Sequence, residues 1–231
     1  PTWPNHLGIF HAAGVELKKY PYVDADNRLD FEGMLSALQQ IPEGDVVLLH
    51  ACCHNPSGFD LSREQWQRVL EVVRERRLLP LVDFAYQGFG DGLDADAYGP
   101  RLLAENLDEV MITSSCSKNF GVYRERTGCM IMIARDSEQM ENVRSQMAIV
   151  ARENYSNPPA HGGAVVAEIL HDDALATVWR EELTEMRDRI NGLRRDFVEA
   201  LKPYGLDERF AFIAEQRGMF SYTGLSTEQV K

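Results

Sequence analysis

The chain has no stretch of about 18 apolar residues, the minimum for a helix that crosses a bilayer, although 44% of its 231 residues are hydrophobic. With 26% charged residues, the composition is that of an ordinary soluble globular protein. Positive charge is scarce: 24 Lys and Arg stand against 36 Asp and Glu, a net charge of −12. No basic stripe emerges, which argues against nucleic acid or an anionic membrane as a partner. An anionic substrate would need arginines placed locally, against the overall field. Cysteine is scarce too. Cys52, Cys53, Cys116 and Cys129 contain no C-x-x-C spacing and form neither a secreted disulfide framework nor a structural zinc motif. They read as four reduced, buried thiols of a cytoplasmic protein. The opening Pro1-Thr2-Trp3-Pro4-Asn5-His6 has neither the basic start nor the apolar core of a signal peptide. It reads as the middle of a loop. At the other end Ser226 and Gln229 have capping-box spacing and announce a helix with almost no residues left to form it. Both features read as part of a longer protein.

What is present alternates between strand and helix patterns. Val15 to Tyr22 predicts a strand, Phe31 to Gln40 a helix, and the apolar run Asp45 to His50 a buried strand. Ser62 and Gln65 form a capping box, after which Trp66, Val69, Leu70 and Val73 share one helical face. Leu78 to Asp83, Glu109 to Thr113 and Cys129 to Ile133 predict three more strands. Pro80 sits near the start of the first of these, where a strand tolerates it. This order predicts an α/β fold with a mainly parallel sheet sandwiched by helices. From about Asp136 the pattern is helical. A long helix is expected from Asp173 to Leu201, with Leu183, Met186, Ile190, Leu193 and Phe197 as its packed stripe. Pro203-Tyr204-Gly205 ends it, and Phe210 to Phe220 looks like strand material of a second unit. The expected division is therefore 1–201, a large domain with a bridging helix, and 202–231, the start of a small α+β domain.

Ligands in open α/β sheets bind beyond the carboxyl ends of the strands, and three such ends carry polar residues. His54-Asn55-Pro56-Ser57-Gly58 offers an amide and a proline that can take a cis bond, although alone it reads first as a turn. In Asp83-Phe84-Ala85-Tyr86-Gln87-Gly88-Phe89, an acid closing an apolar strand needs a positive or hydrogen-bonding partner. It could equally cap a helix. In Ser114-Ser115-Cys116-Ser117-Lys118-Asn119-Phe120-Gly121, a lysine follows small residues that leave room for a bulky group. A desolvated lysine loses basicity and can form a Schiff base with an aldehyde. Arg126, eight residues on, can supply charge to a phosphate. His11, His50, His161 and His171 show no metal-ligand spacing, and Trp66 and Trp179 read as packing residues.

Together these segments resemble the aspartate and aromatic amino acid aminotransferases of pyridoxal-phosphate fold type I. The motif S-x-S-K-N-F-G-x-Y-x-E-R-x-G around Lys118 is the most specific. C-C-H-N-P-x-G, D-x-A-Y-Q-G-F, the opening Pro1 to His6 and the segment Arg152 to Pro159 follow the same family pattern in order. The resemblance implies a PLP-dependent transferase large domain and a two-step amino transfer between an aspartate or aromatic donor and a 2-oxo acid such as 2-oxoglutarate. It implies that Lys118 holds the cofactor and moves the substrate proton, that Asp83 pairs with the pyridinium nitrogen, and that His6 backs Asp83. Asn55 and Tyr86 would face the phenolic oxygen, Trp3 would stack on the ring, and Ser115, Ser117 and Arg126 would serve the phosphate. Arg152 would bind a distal carboxylate, in the neighbouring subunit of a homodimer. A decarboxylase or lyase of the same fold type would share Lys118 and Asp83 without needing Arg152. A piece that binds cofactor without catalysis is the alternative from a different class.

Overall fold

The computed structural model describes residues 1–230. Ten α-helices and four strands follow one another as α1 (Pro4–Ala12), α2 (Phe31–Leu38), β1 (Val46–His50), α3 (Arg63–Glu75), β2 (Leu79–Phe84), α4 (Leu93–Asp96), α5 (Tyr98–Asn106), β3 (Val110–Ser115), β4 (Gly128–Ile133), α6 (Ser137–Asn154), α7 (His161–His171), α8 (Asp173–Leu201), α9 (Asp207–Phe210) and α10 (Thr227–Val230). The sheet runs β1-β2-β3-β4, with β1, β2 and β3 parallel and β4 antiparallel to β3. Helices flank it, so the expected α/β layering with a mainly parallel sheet is what forms.

Local chemistry sets the element boundaries. The Ser62–Gln65 capping box forms in both directions and starts α3, whose Trp66, Val69, Leu70 and Val73 are all buried. Such a cap contributes about 1 kcal/mol. Asp30, Asp136 and Asp172 cap α2, α6 and α8 more simply, each side chain accepting backbone N–H groups of the first turn. Pro80 is tolerated because Leu79 N donates toward Asp45 O, while pairing on the other side, with β3, begins only at Leu81. Val47, Leu49, Val82, Val110 and Leu103 are almost wholly inaccessible and centre a core that α2, α3 and part of α8 cover. Trp66 fills the space over Gly99, where any Cβ would collide with its ring, and so locks α3 to α5.

Four expectations fail. Val15 to Tyr22 pairs with no strand; only an isolated bridge joins Val23 to Leu29. Val15 to Lys19 are exposed, and only Tyr20 and Tyr22 at the end of the segment pack on the core. Phe210 to Phe220 forms no strand: α9 and a 3-10 turn, Ala211–Glu215, bury Phe210, Phe212 and Ile213 in the same core as the sheet. The stripe of α8 is rotated. Leu183 is buried and Ile190 partly so, but Met186, Leu193 and Phe197 are exposed, while Ala176 and Arg194 are buried. Residues advance by about 100° around a helix, so Met186 and Leu193 fall well off the seam through 176, 183, 190 and 194. Finally, the four thiols are free, but only Cys52 and Cys53 are buried, Cys129 being exposed. The Ser226–Gln229 capping box does form and opens α10.

Candidate active site

The three parallel strands bring the polar segments together as the strand-end rule requires. His50 of β1 lies in register with Asp83 of β2, and Asp83 with Thr113 of β3, so the turns after each strand meet at one edge of the sheet. Asp83 ends a hydrogen-bonded chain. Its Oδ2 lies 3.1 Å from His6 Nε2, and its carboxylate makes no other hydrogen bond among the described residues. His6 Nδ1 lies 2.8 Å from Thr2 Oγ1, which lies 3.0 Å from His50 Nε2. The donor atoms of His6, His50 and Asp83 lie within 4.8 Å of one another, but both nitrogens of His6 are already used, leaving none to ligate a metal ion.

Burial by itself would raise the Asp83 carboxyl, but the hydrogen bond from His6 and the charges nearby, Lys118 among them, outweigh it and hold the group below the usual carboxylate value. Burial pushes His50 down to about 4, against the upward pull of Asp83, so it stays neutral near pH 7. Asp83 is therefore an ionised acid in a half-dry place, oriented by an imidazole.

Asn55 and Tyr86 face one another: Asn55 Nδ2 lies 3.4 Å from the Tyr86 hydroxyl. Burial raises the Tyr86 phenol, with the Asn55 amide opposing, so it stays protonated at neutral pH. The Asn55–Pro56 bond is cis. Lys118 points over the Tyr86 ring, its Nζ 4.8 Å from the centroid. It has no ion-pair partner among the described residues, and burial with the nearby Arg126 lowers its pKa despite the pull of Asp83. The lysine loop is pinned from outside. Phe120 stacks on Trp179 of α8 with centroids 4.3 Å apart, and Trp179 Nε1 donates to Asn119 O at 2.7 Å.

Ser115, Ser117 and Arg126 line a shallow cleft of about 360 Å³ at the β3–β4 end, floored by Gly128 and Cys129. Arg126 is exposed in a left-handed backbone conformation (φ 53°), and its Nη1 donates to Tyr123 O at 2.8 Å. Trp3, 37% exposed, meets His6 edge-on at 5.2 Å. Arg152 lies in the last turn of α6, exposed, with no hydrogen bond or ion pair to this cluster among the described residues. A further groove, of about 420 Å³, follows one face of α8 alone, from Thr177 to Asp188, and carries none of these groups.

Sequence reasoning missed the supporting residues. Thr2 has no motif of its own, and His50 has no local signal because its hydrogen-bond partner, Thr2, is 48 residues away in the chain. Asp60, which receives the N–H groups of Cys53 at 2.7 Å and His54 at 2.9 Å, and Asp96, which receives those of Gly88, Gly90 and Asp91, shape the two loops that present Asn55 and Tyr86. An acid a few residues beyond a strand-end turn was the one available signal for both.

Comparison with known proteins agrees with this geometry. The chain is 62% identical over 230 residues to an aromatic-amino-acid aminotransferase of Pseudomonas aeruginosa, and 50% identical over 231 residues to the aspartate aminotransferase of Escherichia coli. Each comparison covers 100% of this chain but 58% of the relative, so the chain spans a little over half the length of such proteins. The structure of an aromatic-amino-acid aminotransferase from Burkholderia pseudomallei, covalently bound to pyridoxal phosphate, superposes with a TM-score of 0.97 at 50% identity, covering 100% of this chain and 58% of that one. Residues 1–231, the whole chain, match the family model of aminotransferase class I and II, and the chain belongs to that family.

Proposed function

We propose that the chain is the cofactor-holding part of a pyridoxal-phosphate-dependent aminotransferase that moves an amino group between an L-amino acid, aspartate or aromatic, and a 2-oxo acid such as 2-oxoglutarate. The observation that carries this reading is the meeting of Asp83, Asn55, Tyr86 and Lys118 at the carboxyl ends of three neighbouring strands. The donor set suits the cofactor: an oriented carboxylate for a ring nitrogen, an amide and a phenol for a ring oxygen, and hydroxyls with a guanidinium for a phosphate. When bound, pyridoxal phosphate supplies an electron sink for a carbanion at the substrate α-carbon.

The chain's own residues do the rest. Asp83, held ionised by His6, would pair with a protonated ring nitrogen. Lys118, its amine made less basic by burial, would hold the cofactor and, when free, take the proton from the substrate α-carbon and return it on the cofactor side. Asn55 and Tyr86 would hydrogen-bond the ring oxygen, Trp3 would lie against the ring, and Ser115, Ser117 and Arg126 would hold the phosphate. Arg152, remote from the cluster of its own chain, reads the distal carboxylate in the site of a second copy, which makes the working unit a homodimer. Residues 1–201 act as the large domain and 202–231 as the start of the small one. No helix among the described residues is long and apolar enough to cross a membrane, and the free thiols accord with a cytoplasmic setting.

The test uses the protein at the length of its relatives. Loaded with pyridoxal phosphate and reduced with borohydride, it should carry the label on the peptide containing Lys118, and amino-donor profiling should find transfer from aspartate or an aromatic amino acid. Label at Lys18 or Lys19, or decarboxylation without amino transfer, would overturn the reading.

A further inference from the structure

Arg194 has no part in the chemistry above, yet it occupies an expensive place. It lies in α8, 6% exposed, with no carboxylate paired to it among the described residues. A buried guanidinium without a counter-ion destabilises a fold unless its donors are fully used. Here all go to neutral acceptors, Nη1 to Asn191 Oδ1 of α8 itself at 3.5 Å and the rest to one short segment. Nη2 donates to the carbonyls of Gly218 and Phe220, the latter at 2.7 Å, and Nε donates to Ser221 Oγ at 3.0 Å.

That segment, 216–222, has no helix or strand of its own. Gln216, wholly buried, closes it by donating from Nε2 to Tyr222 O at 2.8 Å. Arg217 N donates to Gly58 O at 2.7 Å, and its Nε to Asp91 Oδ1 at 2.8 Å. Gly218, at φ 79°, is pressed against Cys53 so closely that a Cβ would collide with it. The Phe220 ring meets Tyr86 edge-on, with centroids 6.1 Å apart. The segment therefore touches both loops of the site, the one that carries Asn55 and the one that carries Tyr86.

We propose that Arg194 is a positioning residue for the reaction: it holds 216–222 as a strap against the two loops and so sets where the Asn55 amide and the Tyr86 hydroxyl stand. These two groups are already 3.4 Å apart, at the long limit of a hydrogen bond, where a small displacement changes the interaction steeply. The inference rests on the functional reading for what those groups face. It adds that their placement is decided from α8, through the backbone carbonyls of the strap.

The test needs the protein at the length of its relatives, with Arg194→Gln, Arg194→Lys and, as milder cuts of the same contact, Phe220→Leu and Ser221→Ala. In the loaded protein, the pH midpoint of the bound chromophore should move by about half a unit or more in Arg194→Gln and Phe220→Leu, because hydrogen bonds to the ring oxygen change its acidity. kcat should fall roughly tenfold with KM little altered. Arg194→Lys, which keeps the charge but not the fork, should fall between wild type and Arg194→Gln. In the cofactor-free protein, Cys53, now 1% exposed under Gly218, should react with a thiol reagent about tenfold faster once the strap is released. Variants that lower Tm but leave the chromophore midpoint and the Cys53 rate unchanged would overturn the proposal. Should Arg194→Gln fail to fold, Phe220→Leu and Ser221→Ala decide it, since both residues are exposed. A wild-type protein that forms no chromophore would sink the functional reading instead, and the thiol rate would still decide whether Arg194 holds the strap.

Discussion

Around Asp83 the polar groups are partnered inside the chain: His6, Thr2 and His50 hand hydrogen bonds to one another, and His54 is held by Ser57 at 2.8 Å and stacked on Tyr22 at 3.9 Å. Around Arg126 and Arg152 the opposite holds. Gly128 to Ile131 of β4 are exposed in a row, α6 buries no residue, and both guanidiniums face solvent. The acid side draws its walls from α1, β1, β2 and the two loops, all within the chain. The anion side has one wall, and relatives are longer by the remainder that this chain does not span. Under the proposed roles, the orientation of Asp83 is built locally, whereas the anion contacts fall to groups that this segment presents outward.

Lysine 118 sits on the boundary between these sides and its loss should be the most severe. Lys118→Ala in the protein at relatives' length should reduce amino transfer by roughly 10⁴-fold, the upper range for a group that transfers the proton. In the cofactor-free chain, burial and Arg126 lower the amine against Asp83, so acylation of Lys118 should reach half its maximal rate at a pH below the ~10.4 of an ordinary lysine. A half-point at or above that value would place the lysine outside the closed side. Next comes the acid itself. Asp83→Asn removes the charge and keeps the shape, and should cost roughly 10²- to 10³-fold in turnover, as for other preorganised electrostatic groups. Near-normal turnover would mean that the ring nitrogen is served by another residue.

The sheet and its three strand ends were readable because apolar runs, capping residues and turn residues are local signals. The Ser62–Gln65 box and the runs from Asp45 and Leu78 needed no tertiary knowledge. Lys118 and Asp83 stand out locally as charged residues near the ends of apolar strands, but only the resemblance carried by several motifs in order gives them roles. Thr2, His50, Asp60 and Arg194 do not stand out, since each acts on atoms whose proximity is decided only by folding; Arg194 in particular looked like one of many solvated charges of α8. The false strands at Val15 and Phe210 have the same origin. Alternating or apolar segments look alike with or without a sheet partner: Phe210, Phe212 and Ile213 are buried against existing elements, whereas Val15 and Leu17 stay exposed.

Arg152 tests the open side. A bidentate guanidinium–carboxylate contact is worth about 2–5 kcal/mol when one partner is lost, so Arg152→Leu should reduce kcat/KM for aspartate and glutamate by roughly 30-fold or more. An aromatic donor, without a distal carboxylate, should lose far less. Equal losses for both donor classes would assign Arg152 to stability and withdraw the dicarboxylate part of the function.

The smallest expected effect sharpens the comparison most directly, because it can be measured on this chain as it stands. Thr2→Val keeps the side-chain shape and removes the hydroxyl that lies between His6 Nδ1 and His50 Nε2. Two ring nitrogens in a half-buried place lose their partner, which should lower unfolding stability by about 1–3 kcal/mol in urea titrations. Ser115→Ala removes a hydroxyl whose only contact is an accepted bond from Ser117 N at 3.1 Å, in a half-exposed position that water can refill. Its cost should stay within about 0.5 kcal/mol. For cofactor affinity in the protein at relatives' length the order should reverse, with Ser115→Ala weakening binding more than Thr2→Val, because the hydroxyl on the open side faces the phosphate. If Thr2→Val proves as mild for stability as Ser115→Ala, the acid side is no more closed than the anion side, and His6 orients Asp83 without help from Thr2 and His50.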